Sequence, residues 1–152
     1  MTATFTGNVS DQNEGEPDFD IDLFNTSQAT IVFDNNRLTN FDDEGLQVDV
    51  SDTASLNLAL RNNTIEPFDP TSDEACYLDA DGGANLCAEI TGNTFGGDLV
   101  FDNLTSGNFD VERFGDAMGD LLVTLNTFTN GRGIVVQSNA VNSISDGGCT
   151  IP

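Results

Sequence analysis

The sequence predicts an all-β chain wound as a parallel β-helix of about five coils, on three observations. Asparagines recur at Asn8, Asn36, Asn63, Asn93 and Asn126, spaced 28, 27, 30 and 33 residues apart, a period that suits a coil of strands and turns. Apolar residues keep fixed offsets from them. At −5 and −3 stand Ala3 and Phe5, Ile31 and Phe33, Leu58 and Leu60, Ala88 and Ile90, then Leu121 and Val123; at +2 stand Leu38, Ile65, Phe95 and Phe128, with Ser10 in the first coil. Finally, 15 glycines, abundant Asn, Asp and Thr, no Trp and no long amphipathic helical period favour short strands joined by many turns. The alternative is a β-sandwich in which the same asparagines sit in ordinary hairpin turns.

The strand before each corner is the first element of a coil, and Phe5, Phe33, Leu60, Ile90 and Val123 at offset −3 are expected to stack in one interior column. The fullest statement of the pattern is 121–137, an alternating run, the corner at Asn126 and a second apolar strand at 134–136. Asparagine suits the corner because it tolerates left-handed backbone and its amide can hydrogen-bond up and down a stack. A further strand follows each corner: Phe19, Ile21 and Leu23 alternate with Asp20 and Asp22, and Leu46, Val48 and Val50 alternate with Gln47 and Asp49. Leu99 with Phe101, and Ile134 with Val136, are the later equivalents. Their apolar members face inward, and Asp20 and Asp22 lie on the outer face, solvated.

Three stretches interrupt the period. Residues 11–18 are a polar acidic loop. Residues 66–85, with two prolines, a diglycine and two carboxylate clusters, read as an acidic insertion protruding from the third coil, and 109–120 is where a short helical turn is expected. Residues 140–152 form a C-terminal tail. The whole of 1–152 is then one domain.

Charge bounds the function. Twenty-six acidic residues face four arginines, Arg37, Arg61, Arg113 and Arg132, for a formal net charge of −22, with no lysine. Such a surface repels nucleic acid and anionic membrane, attracts divalent cations and basic partners, and is tolerated in a salty medium. No apolar run is long enough for a transmembrane span. Without histidine, nucleophilic triads and imidazole acid-base chemistry are excluded, and no phosphate-cradling glycine motif is present. Acidic pairs at glycosidase spacing arise by chance in so acidic a chain, so no enzyme is expected. Calcium is the better candidate: Asp79 and Asp81 open an EF-hand-like loop before Gly82, although the closing glutamate is missing. The sequons at Asn8, Asn25, Asn62 and Asn103 matter only in a glycosylating host.

Cys76, Cys87 and Cys149 match no zinc pattern. Cys76 and Cys87 flank the acidic DADGG turn, and a disulfide between them would close the insertion.

The pieces LRNNTI (60–65), ITGNTF (90–95) and LNTFTNGRGIVV (125–136) resemble the rungs of right-handed parallel β-helix proteins of the bacterial surface and secreted type. CAEITGNTF (87–95) also resembles a cysteine, strand and Gly-Asn element near the C-terminal ends of such chains, which often finish in a lone cysteine, as GGCTIP does here. The resemblance implies a right-handed β-helix, an extracellular or cell-surface bacterial setting, and a disulfide between Cys87 and Cys149 in place of Cys76 with Cys87. Since the N-terminus lacks a signal region and the first rung starts at Ala3, the chain reads as a mature fragment of a longer secreted protein. The expected function is a non-catalytic structural or adhesive module that self-associates head-to-tail with salt or calcium, or stacks on neighbouring β-helix repeats. A carbohydrate-binding or carbohydrate-cleaving β-helix that meets a cell-surface glycan is the alternative.

Overall fold

The computed structural model describes residues 1–11, 15–71, 74–103, 105–112, 124–137, 139–140, 143–145 and 151. They form a parallel β-solenoid. The first sheet stacks six strands, β1 (Thr2–Thr6), β4 (Gln28–Asp34), β7 (Ser55–Arg61), β10 (Asn85–Thr91), β13 (Asn108–Val111) and β16 (Ile144–Ser145). The second stacks β2 (Val9–Asp11), β5 (Arg37–Thr39), β8 (Thr64–Glu66), β11 (Thr94–Phe95) and β14 (Thr127–Phe128). The third stacks β3 (Phe19–Leu23), β6 (Leu46–Val50), β9 (Glu74–Ala80), β12 (Asp98–Asp102) and β15 (Ile134–Val136). Each of the first five coils gives one strand to each sheet, β16 begins a sixth in the first sheet, and the pairings are parallel. That excludes the β-sandwich.

The register places like with like. Phe5, Phe33, Leu60 and Ile90 are direct partners in one interior column, and Ala3, Ile31, Leu58 and Ala88 in the next. In the second sheet Ser10, Leu38, Ile65, Phe95 and Phe128 align. The three inner faces meet in one core of fully buried side chains, among them Phe33, Phe41, Phe95, Phe101 and Phe109. Burying a side chain of this size contributes about 1.5–3 kcal/mol, so a continuous apolar column is what holds successive coils in register.

Corner geometry differs from expectation in one respect. The left-handed residue is the one before the corner asparagine: Gly7, Asn35, Asn62 and Gly92 all have φ between 55° and 72°. The corner asparagine itself is released for its stacking role. At the bend from the third sheet back to the first, Asn25, Asp52 and Gly82 play the same left-handed part, with φ of 63°, 63° and 67°.

Three segments depart from the sequence reading. Residues 66–85 are no insertion, because they contain β9, whose Cys76, Leu78 and Ala80 continue the inner columns of the third sheet. Residues 67–71 before it form no strand; two prolines and an acidic flank disguised a strand. The fifth coil does not draw its first strand from 121–125: Thr124 and Leu125 are helical, and β13 takes that place, with Val111 beside Ala88. Phe109 is accordingly a strand residue and not part of a helical turn, while Val123 and residues 113–120 lie outside the described residues. The link from β12 to β13 is tight because a Cβ at Gly107 would fall 1.9 Å from the Ala80 carbonyl oxygen, which only glycine avoids. The tail supplies β16, where Ile144 sits beside Phe109.

Candidate functional site

The corner asparagines form a directional ladder. The main-chain N–H and Nδ2 of Asn8 donate to Oδ1 of Asn36 at 3.0 and 2.8 Å, Asn36 donates likewise to Asn63 at 2.8 and 3.0 Å, and Asn93 to Asn126 at 3.0 and 2.9 Å. Each Nδ2 from Asn36 onward has a second acceptor in a strand carbonyl: Phe5, Phe33, Leu60 and Ile90 in turn. Four of the five asparagines are buried, and Asn8 at the end is exposed. Polar groups so placed stabilise the core only when fully paired, and here they are.

Among the described residues, the outer face of the third sheet gathers carboxylates from successive coils. Asp22, Asp49, Asp79 and Asp102 are direct neighbours on β3, β6, β9 and β12. Adjacent strands lie about 4.8 Å apart, so four carboxylates stand in one row. Beside them run Asp20, Gln47, Tyr77 and Val100. Like charges directly opposite each other destabilise a sheet, and the row relieves this partly by hydrogen bonding. Gln47 Nε2 donates to Asp49 at 2.8 Å, and the Tyr77 hydroxyl donates to Asp102 at 2.6 Å. Asp79 Oδ1 is buried without a hydrogen-bond partner.

Proton affinity follows from that crowding. Burial first, then the charges of Asp49, Asp81 and Asp102, push the Asp79 carboxyl up to about 7. Asp49 is raised chiefly by burial, against the lowering effect of its bond from Gln47. Asp20 is raised by burial and then by Asp22. Tyr77 is raised by burial and by its bond to Asp102. At neutral pH Asp79 therefore holds a proton part of the time, and the oxygen-rich surface of the row has the donor type that hard cations take.

The two residues expected to bind calcium sit in different local settings, although the charge of Asp81 reaches Asp79. Asp79 points outward within the row, whereas Asp81 sits at the following bend and accepts a hydrogen bond from Thr105. The tight carboxylate group among the described residues is instead Asp20, Asp22 and Asp49, with oxygens within 4.8 Å of one another. Asp79 went unrecognised as a row member because β9 was read as an insertion. The signal was present in the dipeptides Ile21-Asp22, Val48-Asp49, Leu78-Asp79 and Phe101-Asp102, which repeat at coil spacing.

The proposed bond between Cys76 and Cys87 does not form. Cys76 is a free, fully buried thiol on an inner face, raised in pKa by burial, while Cys87 is disulfide-bonded and points outward from β10. Cys149, the other partner considered, lies outside the described residues. Asn103 is buried and donates to the Gly107 carbonyl, which removes it as a glycosylation acceptor in the folded chain.

At the N-terminal end β1, β2 and β3 are each the outermost strand of a sheet. Phe5, Phe19, Ile21, Leu23 and Ile31 line an apolar depression there, and Val9 is 70 % exposed. Comparison with protein-family models, curated proteins and solved structures finds no match to the chain.

Proposed function

We propose that this chain is a non-catalytic structural or adhesive module of an extracellular, bacterial β-helix protein, working by contact through its ends. The observation that carries this reading is the parallel stacking itself: β1, β2 and β3 are each the outermost described strand of a sheet, beside the apolar depression lined by Phe5 and Phe19. A parallel coil stacks on another parallel coil, which is therefore the natural partner. The disulfide at Cys87 fits an oxidising compartment. Like-charged coils, further copies of the chain included, approach head-to-tail only where salt or a divalent cation such as calcium offsets the −22 charge. Light scattering and electron microscopy across sodium chloride and calcium titrations test this. End-on particles that lengthen with added cation are expected, and particles that stay single throughout reject it.

Carbohydrate binding is a second reading, favoured by Tyr77 beside the carboxylates of Asp79 and Asp102 on one outer face. Glycan-array binding that is lost in Tyr77→Ala would support it.

A further inference from the structure

We propose that Asn130 is a site of spontaneous covalent modification, at which the main-chain nitrogen of Gly131 displaces the side-chain amide as ammonia and leaves aspartate and isoaspartate. Asn130-Gly131 is the one Asn-Gly pair in the sequence. It occupies the bend between β14 and β15, where both residues are exposed and the Arg132 N–H donates to the Thr129 carbonyl at 3.0 Å. With φ of 58° at Asn130 and 73° at Gly131, this is a tight turn whose central residues are both left-handed. Asparagine and glycine suit that geometry, and the same pairing sets a nucleophile beside an electrophile.

The step is an intramolecular acyl transfer. The Gly131 nitrogen gives up its proton and bonds to the Asn130 Cγ, the Cγ–Nδ2 bond breaks, and Nδ2 leaves as ammonia with a proton in exchange. Water then opens the cyclic succinimide at either carbonyl. Breaking the bond from nitrogen to Cγ gives aspartate, and breaking the bond to the main-chain carbonyl carbon gives isoaspartate. Carrying nucleophile and carbonyl on adjacent residues makes the attack unimolecular. Three features favour it at this bend. Among the described residues the Gly131 N–H donates to no acceptor, so no hydrogen bond must break to free it. Attack requires rotation about the Asn130 Cα–C bond, and the place a Gly131 Cβ would take has nothing within 4 Å, so the peptide turns without a clash. The Asn130 amide is held by long bonds, from Nδ2 to the Gly96 carbonyl at 3.2 Å and to Thr129 Oγ1 at 3.4 Å.

Asn40 is the matching residue of the second coil: it follows Leu38 as Asn130 follows Phe128, and its φ of 61° is nearly the same. It precedes Phe41, whose fully buried side chain anchors the peptide, and its Nδ2 donates to Asp11 at 2.6 Å. The left-handed Asn25, Asn35 and Asn62 also precede residues with a Cβ. Among the described left-handed asparagines, Asn130 alone therefore combines exposure with an unhindered, unbonded nitrogen. Either product removes the amide donor to the Gly96 carbonyl and adds one negative charge to the formal −22. Isoaspartate also inserts a carbon into the main chain of the turn that leads Arg132 to Asp98, which its guanidinium meets at 2.9 Å. The change is thus felt at the entry to β15.

Timed incubation of the folded full chain at mildly alkaline pH, which favours loss of the Gly131 amide proton, tests the proposal with tryptic digestion and mass spectrometry. Asn130 falls in the peptide ending at Arg132, and Asn40 in the one ending at Arg61. Conversion of Asn130 is expected at least about tenfold faster than that of Asn40, with aspartate and isoaspartate forms separated by chromatography. N130Q, whose side chain would have to close a larger ring, should keep the fold by circular dichroism and lose the product. A parallel incubation in urea reports the pair without its turn. Asn130 that converts in urea and persists in the folded chain would show that the turn protects it, and would overturn the proposal. Equal rates at Asn130 and Asn40, no conversion under either condition, or the same mass change persisting in N130Q would overturn it as well.

Discussion

Asn63 donates both its main-chain N–H and its side-chain amide to Oδ1 of Asn93, each at 2.9 Å, across the 30 residues of one coil. One oxygen thus satisfies two buried donors, so its loss strands both. Asn93→Leu is expected to destabilise by about 3 kcal/mol through unpaired Asn63 donors, while Asn8→Ala at the exposed end costs less than about 1 kcal/mol. Urea denaturation of the two variants checks the contrast, and equal losses would show that the ladder is not the source.

Leu60 lies between Phe33 and Ile90 in an interior column and is fully buried. Leu60→Ala should cost about 2–5 kcal/mol by transfer and cavity terms. Phe68→Ala is the control: Phe68 is 75 % exposed, so its truncation should change stability by less than about 0.5 kcal/mol.

Stability should fall as pH rises through neutrality. Asp79 is held at about 7 by burial and then by its carboxylate neighbours, and Glu44 at about 7 by burial and then by its hydrogen bond to and charge from Asp43. The folded chain therefore keeps protons that the unfolded chain releases at the ordinary values of 3.8 and 4.5. Their stabilising contribution is full below about pH 4 and is lost as pH rises through about 7. The Tm at high, constant ionic strength should drop from about pH 5 to about pH 8, and Asp79→Asn should flatten the slope. A Tm that rises across that interval would contradict the carboxylate row.

Iodoacetamide should leave Cys76 unlabelled in the folded protein and alkylate it after denaturation, while Cys87 stays unlabelled until reduced. Cys76→Ser, which puts a hydroxyl on an inner face beside Leu46 and Leu99, is expected to cost about 1–3 kcal/mol. Labelling of Cys76 at native rates equal to denatured ones would place it outside the core.

Fold and coil boundaries were legible because they rest on chain-local periodicity. Offsets of −5, −3 and +2 from Asn36, Asn63 and Asn93 state which side chains point inward, and the register pairs those residues as the spacing requires. Where linker length changed between coils, periodicity gave the wrong strand. Val111 took the place predicted for Leu121, and β9 was hidden between prolines and aspartates, because the sheets reward an apolar face in register whatever the distance along the chain.

What the sequence by itself determined is therefore the inward face of each regular coil and the asparagine that turns it, both encoded within a few residues. What only the tertiary structure decided is which outward residues become neighbours. Asp22, Asp49, Asp79 and Asp102 each follow an apolar residue, but their unequal spacings of 27, 30 and 23 residues do not by themselves set them in one row. Strand stacking sets them side by side; burial, and then this proximity, raises Asp79, and Asp20 and Asp22 form an acidic flank on the outermost described strand of the third sheet.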